Sequence, residues 1–263
     1  MNYRRKLIFS FFLYTAISAN VSVYAEVISS FWQTDKSQHF IVNYQHAPYG
    51  YIPEIIDRAE KYYNGIIDQL GYRRFDFWSW DNRARIYLFK EGADYIKDTN
   101  RVGWSGASVN VKDRVIKTFI GQKNFFDSIL PHEMAHIIFR EFVGEKADLP
   151  LWIEEGVACS QEKSALKERL RGIKELLNEG AYIEINKLSA LQDYSSIDPA
   201  IFYSESASLI VFLLKRYGPG QFLDFSRQLR DGVKWQEALL KSYQFENLNE
   251  FESKWKEYIV AAN

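Results

Sequence analysis

Three residues in the stretch SILPHEMAHIIFREFVGEKADLPLWIEEGVA (residues 128–158) have the types and spacing for hydrolytic chemistry: His132, Glu133 and His136. They include two of the chain's four histidines. On a helix, positions four apart differ by about 40° around the axis and about 6 Å along it. His132 and His136 therefore project from one face and can hold one metal ion between their imidazole nitrogens. Glu133 lies beside His132 but offset around the helix, where it can reach a water on that ion without ligating it. Met134, Ala135, Ile137, Ile138 and Phe139 are uncharged, so the helix is expected to be buried, which shields a metal site from competing water. A core helix with two hydrogen-bonded histidines remains the alternative on these five residues alone.

The elements that must position this helix can be read from periodicity. HFIVNY (residues 39–44) alternates Phe40, Val42 and Tyr44 on one face, as a half-buried strand does. Ile52, Ile55, Ile56, Ala59, Tyr63, Ile66, Ile67 and Leu70 recur at three and four, which predicts a helix ending at Gly71. ARIYLF (84–89) reads as a second strand, and ASVNV with RVIKTFI as a hairpin around Lys112 and Asp113. The aromatic run FDFWSW (75–80) reads as core packing or a loop clamp, with a binding surface as the alternative. From Phe125 onward the pattern is helical, with helices expected at about 128–143, 152–179, 203–217, 220–230, 233–243 and 247–261. Pro131 is tolerable in the first of these if Ser128 is its cap. The expected fold class is α+β, with a mixed-sheet N-terminal lobe (26–127) joined to a helical C-terminal lobe (128–263) at the histidine-bearing helix.

Catalytic zinc typically takes three protein ligands and leaves one position for water. Glu155 follows His136 after 18 intervening residues, and a reverse turn through GEKADLP could bring it to face the histidines. At this point the chain resembles the gluzincin metallopeptidases, whose pattern is HExxH, 18 or more residues, then a Glu often followed by Gly-x-Ala. The spacing and EGVA (155–158) are similar to the aminopeptidase N branch and to the peptidase MA-like domain families. FYSESASLIVFLLKRYG (202–218) and WQEALLKSYQFENLNEFESKWKEYI (235–259) resemble the closing segments of the MA-like domains. The resemblance covers about residues 38–260. It implies a thermolysin-like gluzincin fold and one zinc ion per chain, held by His132, His136 and Glu155. It also implies Glu133 as general base, with Tyr203 the candidate phenolic donor to the oxyanion.

Two departures from the family pattern bear on detail. Thermolysin-like enzymes place an Asp four residues past the third ligand to orient a zinc-bound histidine, and here that place holds Cys159. Glu162, two helical turns past Glu155, is the candidate substitute, while Cys159 reads as a small core residue or a thiol near the metal. Aminopeptidase N relatives carry a Gly-Ala-Met-Glu-Asn strand whose Glu holds the substrate's free amine. The corresponding segment here is GASVN (106–110), with Val109 at the Glu position. That implies no amine anchor and favours internal cleavage over removal of N-terminal residues. The strand edge near Trp104, Gly106 and Ala107 is the expected peptide-binding surface, by strand addition. The alternative function is a zinc-binding module of the same fold that binds peptides or partner proteins without turnover.

The bulk composition is consistent with an exported protein. Arg4, Arg5 and Lys6, an apolar run from Leu7 to about Ala19, and Val23-Tyr24-Ala25 have the layout of a signal peptide over residues 1–25, leaving a catalytic domain over 26–263. Export to a periplasm or out of the cell is therefore expected. Removing the three basic residues takes the formal charge from −1 to −4, which argues against a nucleic-acid partner. No second long apolar stretch follows, so no membrane span is expected in the mature chain, whose partner would be a peptide or protein substrate. Cys159 is the only cysteine, which excludes an internal disulfide. Stability must come from a core, for which 47% hydrophobic residues suffice.

Overall fold

The computed structural model describes residues 32–73, 75, 78–100, 106–193 and 196–261. The expected signal segment lies outside these residues, as do Trp104 and, within the aromatic run, Asp76 and Phe77. The fold is α+β, with a five-stranded mixed sheet and a set of helices packed around one continuous core.

The sheet consists of β1 (Gln33–Lys36), β2 (Phe40–Tyr44), β3 (Ala84–Phe89), β4 (Ala107–Asn110) and β5 (Val115–Phe119), in the order β1-β2-β3-β5-β4. β2, β3 and β5 run parallel, and β1 and β4 close the two edges as antiparallel strands. Parallel neighbours need a crossover; α1 (Tyr51–Leu70) supplies the one between β2 and β3, and it ends as the periodicity predicts, at Gly71 with φ 80°. A Cβ at Gly71 would stand 2.5 Å from the Pro219 carbonyl oxygen, so this turn also admits the C-terminal helices. The β4–β5 hairpin turns through residues 111–114. Asn110 both accepts from the Asp113 amide (3.0 Å) and donates to its carboxylate (2.8 Å), with Arg114 left-handed at φ 53°. α2 (Gly92–Thr99) and β1 were not expected from the sequence. β1 is QTDK with all four residues exposed, so no apolar alternation marks it.

The aromatic run divides between core and surface. Trp78 is fully buried and Phe75 packs against the core, whereas Trp80 is turned outward.

The helical half comprises α3 (Leu130–Val143), α4 (Leu151–Cys159), α5 (Lys163–Glu179), α6 (Ile185–Ala190), α7 (Pro199–Arg230, kinked at Gly218), α8 (Trp235–Tyr243) and α9 (Leu248–Ala261). Three boundaries differ from the sequence reading. Ser128 does not cap α3; a π-helical turn, Phe125–Ile129, runs straight into it, and the Ser128 hydroxyl instead meets Ser164 Oγ at 2.8 Å. The wider turn suits Pro131, which has no N–H and whose ring crowds the carbonyl one turn back. The helix expected at 152–179 breaks at residues 160–162. Ser160 Oγ donates to the Val157 carbonyl (2.7 Å) and the Glu162 side chain is drawn toward α3. α7 begins at Pro199 rather than 203, with the Asp198 carboxylate accepting the Ala200 amide at 2.8 Å.

Gly156 sets how closely α4 can lie on α7. A Cβ there would fall 2.4 Å from the Ser206 carbonyl oxygen and 2.7 Å from Ile210 Cγ1. Because the first of these is backbone, Gly156→Ala should destabilise by about 1–3 kcal/mol. Thermal unfolding should show Tm lowered by about 2–4 °C per kcal/mol; an unchanged Tm would mean that the helices part freely at this crossing.

A buried carboxyl holds the α5–α6 connection. Glu205 on α7 is 1% exposed and accepts the Ile183 amide at 2.9 Å. Glu252 on α9 accepts the Ile185 amide at 2.8 Å. Burial pushes the Glu205 carboxyl up to about 8, helped by Glu252 and opposed by the Ile183 hydrogen bond and Lys256. The folded state therefore keeps a proton that the unfolded chain releases at its ordinary carboxyl value. Between about pH 4.5 and 8 the native protein binds more protons, so stability falls as pH rises through this window. Its slope should approach about 1.4 kcal/mol per pH unit at most. Urea unfolding across pH should show a flatter profile for Glu205→Gln than for the wild type; parallel profiles would exclude this group as the source.

Candidate metal centre

α3 buries Leu130, Met134, Ala135, Ile137, Ile138 and Phe139 in the core and turns its histidines toward α4. Two polar anchors fix its far end. Glu141 accepts from Trp78 Nε1 at 2.7 Å and from Arg114 Nε at 3.0 Å, tying the helix to the sheet half. Arg140 donates to the Ala147 carbonyl at 2.9 Å and forms an ion pair with Glu154, which closes the 144–150 turn and brings α4 alongside. Glu155 follows Glu154 directly, so this clamp places the third carboxylate.

The result is a convergence of three ligand atoms. His132 Nε2 and His136 Nε2 are 3.1 Å apart, and Glu155 Oε2 is 3.6 Å from each. All three side chains are largely buried, with 13–19% of their surfaces exposed. His132 Nδ1 lies 2.8 Å from Glu162 Oε1, so the imidazole donates its Nδ1–H there and leaves the Nε2 lone pair facing His136 and Glu155. Burial disfavours charge on His136, but the hydrogen bond and charge of Glu155, aided by Glu133, outweigh it and raise the imidazole's pKa. Acceptor atoms gathered this closely call for a cation, and two imidazole nitrogens with one carboxylate oxygen are a donor set suited to zinc.

Glu162 leaves the end of α4 rather than continuing it, and reaches back to His132 from the start of α5. Burial would raise its carboxyl, but the His132 hydrogen bond and the Arg169 charge hold it below the ordinary range. Cys159 is fully buried, as a small core residue is, and its Sγ is 3.9 Å from His132 Nδ1. Burial and the adjacent Glu162 push its thiol well up, so it stays neutral.

A cleft of about 260 Å³ opens beside His132, lined by Gly106, Ala107, Ser128, Ile129, His132, Glu133 and Glu162. It joins Glu133 to the start of β4, an edge strand of the sheet. The Gln122 amide lies over Gly106, so a Cβ there would have to displace that flexible side chain. Tyr203 does not line this cleft. It lies behind it on α7, with its ring beneath the Arg169 guanidinium at 5.5 Å. A larger cavity, about 760 Å³, lies beyond the C-terminal end of α3 and contains none of the converging ligand atoms. Donor chemistry, rather than cavity size, therefore locates the centre. Sequence reasoning missed Arg140, Glu141, Glu154 and Arg169, because their partners come from turns and helices whose approach no local pattern encodes.

Two imidazoles one helical turn apart, a carboxylate beside them on the cleft, and a glutamate from the next helix, all against a mixed sheet, define a metallopeptidase-type centre. The sequence profile of the peptidase MA superfamily matches residues 86–261, and the chain belongs to that superfamily. Its members are typically zinc-dependent. Comparison with curated proteins returned no match. Among the described residues, no helix is long and apolar enough to cross a membrane.

Proposed function

We propose that the protein is an exported zinc-dependent endopeptidase with a thermolysin-like gluzincin centre, acting on extended segments of peptides or proteins. The observation that carries this reading is the approach of His132 Nε2, His136 Nε2 and Glu155 Oε2 to within 3.1–3.6 Å of one another beside a cleft that Glu133 lines. Zinc held by these three atoms would supply a Lewis acid that polarises the scissile carbonyl and acidifies water. Glu133 accepts the proton released as water attacks and returns it to the leaving amine. Glu162 keeps His132 in the tautomer that offers Nε2. Tyr203 backs Arg169 and does not line the cleft, so the oxyanion role that the family resemblance implied for it is not carried into this reading.

The β4 edge at Gly106 and Ala107, with Trp104 preceding it, would receive substrate as an added strand and grip backbone rather than a terminus. Val109, in place of an acidic residue, offers no anchor to a free amine. Export rests on the layout of residues 1–25, and the final destination would be a periplasm or the exterior.

A series of peptides with free and acetylated N-termini, digested by the zinc-loaded protein and read by mass spectrometry, tests this reading. Internal cuts at rates little changed by acetylation are expected. Release of single N-terminal residues, abolished by acetylation, would overturn the endopeptidase assignment. No cleavage anywhere in a broad library, with zinc bound, would leave a peptide-binding module instead.

A further inference from the structure

Arg169 is not part of the ligand set and does not line the cleft, yet it lies directly behind the centre. It projects from α5 seven residues past Glu162, and its Nη2 is 3.0 Å from Glu162 Oε2 and 3.3 Å from Oε1. The guanidinium plane is backed by the Tyr203 ring at 5.5 Å. Its Nε is buried with no acceptor among the described residues, so Glu162 is the partner that compensates its burial. Glu162 in turn is 6% exposed and 2.8 Å from His132 Nδ1.

Hydrogen-bond direction follows from this chain of contacts. A guanidinium can only donate. Ion-paired with Arg169, Glu162 is a carboxylate and can only accept, so the bond to His132 is donated by the imidazole. The proton is thereby held at Nδ1 and the lone pair at Nε2, the atom that faces His136 and Glu155. The Tyr203 ring stops the guanidinium swinging away from this position.

We propose that Arg169 is a positioning residue of the metal centre, acting through Glu162 to fix the ring orientation and tautomer of His132. The proposal rests on the zinc-peptidase reading, but its first measurement needs neither metal nor substrate. In the metal-free full-length chain at fixed pH, ¹⁵N NMR of His132 should show a protonated Nδ1 and an unprotonated Nε2. Arg169→Met should lose this pattern in favour of a mixture of tautomers. Competition for Zn²⁺ against a chromophoric chelator should show affinity weakened about 10–100-fold. Arg169→Lys, which keeps the charge but not the planar fork, should fall between wild type and Arg169→Met. Because Arg169 acts through Glu162, Arg169→Met/Glu162→Gln should bind Zn²⁺ no more weakly than Glu162→Gln alone.

Wild-type tautomer and Zn²⁺ affinity in Arg169→Met, with only Tm lowered, would reduce Arg169 to a structural tie and overturn the proposal; so would additive losses in the double variant. If Arg169→Met does not fold, Arg169→Lys decides the matter alone, and unchanged affinity and tautomer in it overturn the proposal. Failure of the wild type to bind Zn²⁺ would instead defeat the peptidase reading, with the metal-free tautomer still reporting on Arg169.

Discussion

Glu133→Gln is expected to retain one equivalent of zinc and to lower kcat for peptide hydrolysis by about 10²–10⁴-fold, the range associated with a positioned acid–base group. The substitution keeps side-chain shape and removes the negative charge, and with it the capacity to take up a proton. His132, His136 and Glu155 converge without any contribution from Glu133, which lines the cleft beside them. Metal content and turnover should therefore separate. The loss should appear in kcat with KM little changed, because the amide still fills the space on the cleft wall and the β4 edge that would bind substrate is untouched. Zinc analysis alongside steady-state kinetics checks this. Residual activity within a few-fold of wild type would mean that another group moves the proton, and lost zinc would mean that Glu133 belongs to the ligand set.

The histidine-bearing helix was legible because its chemistry and its burial share one local period. His132 and His136 fall on one face, and the five apolar residues among and after them supply the buried one. The parallel strands β2 and β3, and the crossover helix α1 between them, were legible for the same reason. What escaped was set by tertiary contacts. The break after α4 has no Gly or Pro to announce it; the chain turns there because Glu162 reaches His132 and Arg169, and those partners outweigh helical propensity. The role expected of Glu162 is compatible with this geometry, although the expected continuous helix is not present. β1 is an edge strand with no buried face, and α2 buries only Tyr95, so neither offered a periodic signal. The start of α7 was signalled by Asp198-Pro199, a cap followed by a helix-opening proline, but the apolar pattern that begins later masked it.

Removing a ligand should have the larger effect on the metal. Structural zinc sites with four protein ligands bind with about 10–16 kcal/mol, a few kcal/mol per ligand, so losing one of the three here should weaken Kd by at least roughly 10²–10³-fold. His132→Ala, His136→Ala and Glu155→Ala should therefore each lose stoichiometric zinc in the presence of a competing chelator, and with it all hydrolysis. Stability should change both with metal and without it. In the wild type, zinc binds only the folded centre, so saturating metal should raise Tm by mass action, and this rise should vanish in all three variants. His136 Nε2 lies 3.6 Å from Glu155 Oε2 in a largely buried space, and the hydrogen bond and charge of Glu155 favour a proton on that imidazole, so the pair is a favourable contact even without an ion. Trimming His136 removes this contact and leaves a cavity beside Glu155, so metal-free His136→Ala should unfold at a lower temperature than the metal-free wild type. Paired melts with excess zinc and with chelator test both expectations. A histidine variant that keeps the zinc-induced rise in Tm would remove that residue from the ligand set. An unchanged Tm in metal-free His136→Ala would mean that the His136–Glu155 contact contributes no stability of its own.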